Sequence, residues 1–228
     1  MSANKIITIT AAILMSFAII SAALVGFTHE QTKERILYNE KLMLLKKLNT
    51  ILPASSYDND LLNSTITLEA DYLLGTQLES TAYIARKQNK PIAIVLPTTA
   101  PNGYNGPIDL LVGIRYDGTL AGTRVVKHRE TPGLGDVLEE QKSDWILGFE
   151  NKSLNNPDTK KWKVKKDGGD FDQFTGATIT PRAVVKAIHA TLLYFEKHKK
   201  TLFGISDKKP IDNKPKDQNH NDTTKQNS

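Results

Sequence analysis

Asp172, Thr175, Gly176, Ala177 and Thr178 bring together residue types suited to carrying a covalent ligand. An acidic residue opens the run and a turn of small residues follows. Thr180 is a natural N-cap, and Pro181 suits the first helical position, where a missing N–H leaves no bond unmade. Val184, Val185, Ile188, Leu192, Leu193 and Phe195 then recur at near-helical spacing, which predicts a helix over 181–200. Thr178 therefore stands beside a helix N-terminus, where unpaired N–H groups and the dipole favour an anion. Gly176 and Ala177 leave room for a large group on its hydroxyl. A threonine hydroxyl is a poor nucleophile without a base. Only Asp172, some way off, could serve. The plain alternative is a tight loop of small residues.

A second stretch, Glu130-Thr131-Pro132-Gly133-Leu134-Gly135, has the glycines and proline of a shaped loop. Such a loop can bring backbone N–H groups close to a ligand, or merely join a strand to a helix. It is not a dinucleotide fingerprint, because Gly133-x-Gly135 lacks the third glycine and the βαβ setting. Asp136 is a candidate N-cap with Glu139 three residues on, and Val137, Leu138, Trp145 and Ile146 mark a helix behind it. His128, His189 and His198 show no metal-ligand spacing with carboxylates and read as surface or helix-face residues. No metal site is expected, and no Ser/His/Asp set can be assembled.

The acceptor run, Asp-x-x-Thr-Gly-Ala-Thr, resembles the covalent-flavin motif of the G subunit of the Rnf (Rsx) ion-translocating electron-transport complex. That family is related to the C subunit of the sodium-pumping NADH:quinone reductase. The resemblance extends over most of residues 1–204. It includes Glu130 to Gly135, Lys142-Ser143-Asp144-Trp145 and Lys165-Lys166-Asp167-Gly168-Gly169. It implies FMN joined by its phosphate to Thr178, with Thr175, Gly176, Ala177, Glu130, Thr131 and Leu134 beside the flavin. A separate flavin transferase using FAD and Mg²⁺ would release AMP, and Asp172 would belong to the motif it recognises. The helix start, with Arg182, would stabilise the phosphodiester charge. The resemblance further implies electron transfer between neighbouring redox subunits. The complex would couple ferredoxin/NAD electron flow to Na⁺ or H⁺ movement. Two other classes stay open: an anchored extracytoplasmic binding module without covalent flavin, and a free-standing flavin reductase.

The rest of the chain must hold this site in place. Among 228 residues there is no cysteine, so thiolate-held iron–sulfur clusters, thiolate zinc sites and disulfides are excluded. The net charge of +5 comes without interleaved basic and aromatic residues, which argues against a nucleic-acid partner. Behind a five-residue stub (1–5), Ile6 to Phe27 carries no charge. As a helix it would run about 33 Å, enough for a hydrocarbon core of about 30 Å. An uncleaved single-pass anchor is favoured over a secretory signal, whose apolar region is shorter. Flanking charges do not orient it. The resemblance implies an inner-membrane location with the bulk of the chain periplasmic.

Residues 28–53 continue helically, with an apolar stripe of Ile36, Leu37, Met43, Leu44, Leu48, Ile51 and Leu52 ending at Pro53. The stripe packs either on its own domain or on the membrane or a partner subunit. Residues 54–204 form the expected FMN-binding domain, of α+β class with an antiparallel or mixed sheet. Thr65 to Gln88 supplies edge strands or a short helix. Ile92 to Leu96 reads as a buried strand, and 97–107 as a long turn-rich loop. Ile108 to Ile114 and Thr119 to Val126 are strands joined by an Asp117-Gly118 hairpin. Lys161-Trp162-Lys163-Val164-Lys165 alternates like a strand, its lysines forming a solvated face or a patch for an acidic partner. Residues 205–228 lack apolar periodicity and read as a disordered tail.

Overall fold

A computed structural model describes residues 3–204, so the expected tail at 205–228 lies outside the described residues. The chain opens with α1, Ala3–Ile51, one continuous helix. It is long and apolar enough to cross a membrane. Inside its apolar stretch the hydroxyls of Thr10 and Ser16 donate to the Ile6 and Ile13 carbonyls. Those bonds keep polar groups satisfied where no water is at hand.

Five strands follow: β1 (Thr65–Leu68), β2 (Ser80–Lys87), β3 (Lys90–Gly103), β4 (Gly106–Arg115) and β5 (Leu120–Lys127). They pair in sequence order, every pair antiparallel. Helix α2, Ile179–Leu202, closes the domain, giving the α+β class expected.

Period-two alternation splits the sheet into two apolar faces. Ile94, Leu96, Ile108, Leu110, Val112 and Ile114 pack against Val184, Ile188, Leu192 and Phe195 of α2. Ala85, Ala93, Val95 and Leu111 face the other way, toward Leu48, Ile51 and Leu52 at the end of α1. Gly113 makes that seat. A β-carbon there would lie 2.2 Å from Ile51 Cγ2. Lys47 Nζ donates to the Val125 and Val126 carbonyls, and Arg124 donates to the Thr50 carbonyl. The last turns of α1 are thereby tied to β5. Burial pushes the Lys47 ammonium pKa down, with Glu139 opposing the shift.

The hairpin at Asp117-Gly118 is present, with Asp117 Oδ1 accepting from the Thr119 N–H. Thr65 to Gln88 resolves to the strand alternative. The expected loop at 97–107 is instead mostly strand. Thr99 N–H points away from β4, to the Leu74 carbonyl. Pro97 shares its parity in the ladder, so its missing N–H removes no bond to β4, and Pro101 falls in the bulge between Ala100 and Gly103, where the ladder is interrupted. The helix expected from Asp136 is two 3₁₀ segments, Gly135–Leu138 and Asp144–Phe149. Asp136 turns back to accept from the Gly133 N–H, and Ser143 caps the second segment. The strand expected at 161–165 is also absent. Trp162 and Val164 are buried as its alternation requires, but they lie between 3₁₀ turns at Thr159–Lys161 and Lys165–Asp167.

Candidate functional site

The acceptor loop hangs from an aromatic bed. Phe171 stacks on Phe149, centroids 4.7 Å apart, and packs against Trp162 at 5.0 Å. Phe174 meets Trp145 edge-on at 4.8 Å. Trp145 Nε1 donates to the Asp172 carbonyl at 2.8 Å. Two buried aromatics thus anchor the loop at 171 and 174, and leave Asp172, Gln173, Thr175 and Gly176 exposed. Neither phenylalanine belongs to the motif's defining residues. Their spacing around Asp172 is the only signal that could have marked them as anchors.

Gly176 has φ +78°, a left-handed conformation that admits glycine without strain. The turn it makes carries the chain to Thr178, half-buried at φ −87° and ψ −25°. Thr178 is the cap residue of α2 by position, yet its side chain makes no capping hydrogen bond. Thr180, expected as the N-cap, lies one residue inside the helix and is fully buried. Its hydroxyl donates to Glu130 Oε2, so it is drawn inward and caps nothing. Pro181 still falls in the first turn, where its missing N–H is harmless.

Glu130 is buried, with only 5% of its surface exposed. Its other oxygen accepts from the Asn105 N–H at 3.1 Å, and Asn105 Nδ2 donates to Thr131 Oγ1 at 2.9 Å. One carboxylate therefore joins the β3–β4 turn, the 130–135 loop and the start of α2. The expected free N–H groups of that loop are not free. Gly133 N–H donates to Asp136, and Leu134 and Gly135 N–H both donate to the Thr131 carbonyl. Pro132, Gly133 and Leu134 are exposed, and Leu134 lies beside Gly176, whose missing β-carbon would lie 3.3 Å from Leu134 Cδ2.

His128 is not a plain surface residue. Its Nδ1 accepts from the Glu130 N–H, and its Nε2 lies 2.7 Å from Glu139 Oε1. His189 stacks on Trp162, with Nε2 buried and without a hydrogen-bond partner. Burial pushes its pKa below the ordinary histidine value.

Two ion pairs bracket the acceptor loop. Lys165 Nζ lies 2.6 Å from Asp172 Oδ1. Arg182 donates to both Asp167 oxygens at 2.6 Å, and that bonding holds the Asp167 carboxyl below the usual carboxylate range. The place expected for Arg182 is at the phosphate. It is instead turned to Asp167, a fixed planar match for its guanidinium. Among the described residues, no group of three or more His, Asp or Glu side chains could hold a metal ion.

The Thr178 hydroxyl thus stands without a capping bond at a helix start, beside an exposed loop of small residues. A family model described as an FMN-binding domain matches residues 103–193, and one described as the RnfG N-terminal region matches 1–51. The chain is 47% identical to a relative from Vibrio atlanticus over 190 residues, covering 83% of this chain and 90% of the relative. A relative from Pseudoalteromonas atlantica is 44% identical over 203 residues, covering 89% and 94%. One from Shewanella loihica is 45% identical over 192 residues, covering 84% and 91%. All three are named as the G subunit of an ion-translocating oxidoreductase complex. The family match makes the domain an FMN-binding domain. The chain belongs to the family formed by the G subunits of ion-translocating oxidoreductase complexes.

Proposed function

We propose that this chain is a membrane-anchored electron carrier holding FMN as a phosphodiester on Thr178. The observation that carries the reading is the Thr178 side chain, which caps nothing although it stands at the helix start beside an exposed loop. Attachment joins Thr178 Oγ to the FMN-side phosphorus of FAD. The pyrophosphate bond breaks, AMP leaves, and a transferase base with Mg²⁺ takes the hydroxyl proton. Asp172, its side chain largely exposed, is open to recognition once Lys165 releases it.

The bound flavin would supply reversible electron transfer at a potential set by its surroundings. The chain's own residues position it. The first N–H groups of α2, which have no intrahelical partner, would stabilise the phosphate charge. Thr175, Gly176 and Ala177 leave space around the ester, Leu134 offers an apolar contact, and Glu130 with Thr131 fixes the loop that carries Leu134. Residues 6–27 form the single inner-membrane span, 54–204 form the periplasmic domain, and other membrane subunits exchange electrons with it. The complex couples ferredoxin/NAD electron flow to Na⁺ or H⁺ movement.

The test is co-expression with a flavin transferase, followed by flavin fluorescence in a denaturing gel. Fluorescence in the wild-type band that disappears in Thr178→Val is the expected result. A dark wild-type band, in cells that modify a control acceptor, sinks the proposal.

A further inference from the structure

The face of α1 that seats Leu48 and Ile51 in the domain does not stop at Leu48. Ile36, Met43 and Leu44 continue it by helical spacing and stay outside any core cluster or at its margin, with Met43 67% exposed. Between this stripe and the domain lies a cavity of about 410 Å³, bounded across from α1 by Leu111 and Val126. It runs into a second groove of about 610 Å³, which shares Leu44, Leu111 and Val126 and extends past Tyr83 and Pro97 to Leu78. Leu78 is 80% exposed. The result is one trough with a mainly apolar floor and polar side chains such as Glu40, Lys47, Glu79 and Asp109 along it, continuous with the seam where α1 already packs on the sheet. Lys47 and Arg124 fix its angle by hydrogen-bonding α1 to β5.

We infer that this trough receives an apolar helix of a membrane subunit that rises out of the bilayer alongside α1. The inference rests on the membrane-complex reading above. Distance selects the occupant. The charge-free span ends at Phe27, and Leu44 lies about 25 Å further along a straight helix. A tilt of about 40° still leaves it about 19 Å above the hydrocarbon. The polar layer of a leaflet is only about 5–8 Å deep, so lipid does not reach the trough. A partner's helix extending a few turns past the bilayer does.

The chain has no cysteine, so single-cysteine variants report one position each. Met43→Cys lies on the trough face. Tyr38→Cys, on the opposite face by helical angle, is the control. Maleimide reaction is timed for the isolated full-length chain in nanodiscs and for the purified complex. At least tenfold slowing at Met43→Cys on assembly is expected, with Tyr38→Cys unchanged. A photo-reactive residue at position 43 then forms its adduct with a membrane subunit. Equal reactivity in both states overturns the inference. So does protection already present in the isolated chain in nanodiscs, which means lipid, or an adduct only with a second copy. Flavin fluorescence is read on the same samples. A flavinylated chain in an intact complex with an unprotected Met43→Cys defeats the trough alone. Absence of both flavin and membrane subunits defeats the functional reading beneath it.

Discussion

The two loops that meet at the candidate site treat their polar groups in opposite ways. Residues 172–178 are anchored by Phe171, just before the motif, and Phe174, within it, both in the aromatic bed. Their own hydroxyls and carboxylate are left at the surface, Asp172 held only by an exposed ion pair. Residues 130–135 do the reverse. Glu130, Thr131 and the N–H groups of Gly133, Leu134 and Gly135 are hydrogen-bonded within the protein, while what the loop exposes is Pro132, Gly133 and the apolar Leu134. On the function proposed above, one loop is open to modification and the other holds it still. A polar residue in a ligand-site motif can thus serve either end, and burial distinguishes them.

Thr178→Val tests the contrast most severely. It is expected to abolish covalent flavin and to move stability by less than about 0.5 kcal/mol, as for a site making no buried bond. A large loss of stability in a denaturant titration would show that Thr178 is structural after all.

Glu130→Ala should act the other way. It strips acceptors from the buried Thr180 hydroxyl and the Asn105 N–H, and should cost about 1–3 kcal/mol. Unchanged unfolding would mean Glu130 is no structural pin.

Trp145→Phe keeps the edge-on contact with Phe174 and deletes the donor to the Asp172 carbonyl. A loss of about 1 kcal/mol is expected, with faster amide exchange confined to 171–178. Exchange that accelerates everywhere instead would mean that the bed supports the whole core.

His189 sets a smaller, pH-dependent effect beneath the same loop. Its folded pKa lies below the ordinary 6.5, so the unfolded chain takes up the proton first. Stability is full above about 6.5 and falls as the pH drops through that value. Melting temperatures between pH 7.5 and 5 should therefore slope less in His189→Phe, which keeps a ring on Trp162.

Asp167→Asn should have the smallest effect, since its pair with Arg182 is at the surface. The folded pKa is depressed, so its contribution is present above the ordinary 3.8 and is lost as pH falls below it. A small melting difference at neutral pH that vanishes in high salt would match an exposed pair.

Residue order alone was enough for the parts whose information is local. The charge-free run of 6–27, the Asp117-Gly118 hairpin and the apolar spacing of α2 are set by near neighbours, and each is present in the fold. So is the set of small residues around Thr178. Even where 161–165 proved not to be a strand, the alternation of Trp162 and Val164 named the buried side chains correctly. Which polar groups remain available is settled in three dimensions. Thr180 has the residue type of a cap, but Glu130, fifty positions earlier, draws it inward. Arg182 has the charge for a phosphate, but Asp167 takes it. Pro97 and Pro101 signal a loop, but ladder parity lets Pro97 stand in β3 and a bulge takes Pro101. In each case the competing partner is distant in the chain, and a hydrogen bond's choice of partner is made by proximity in space.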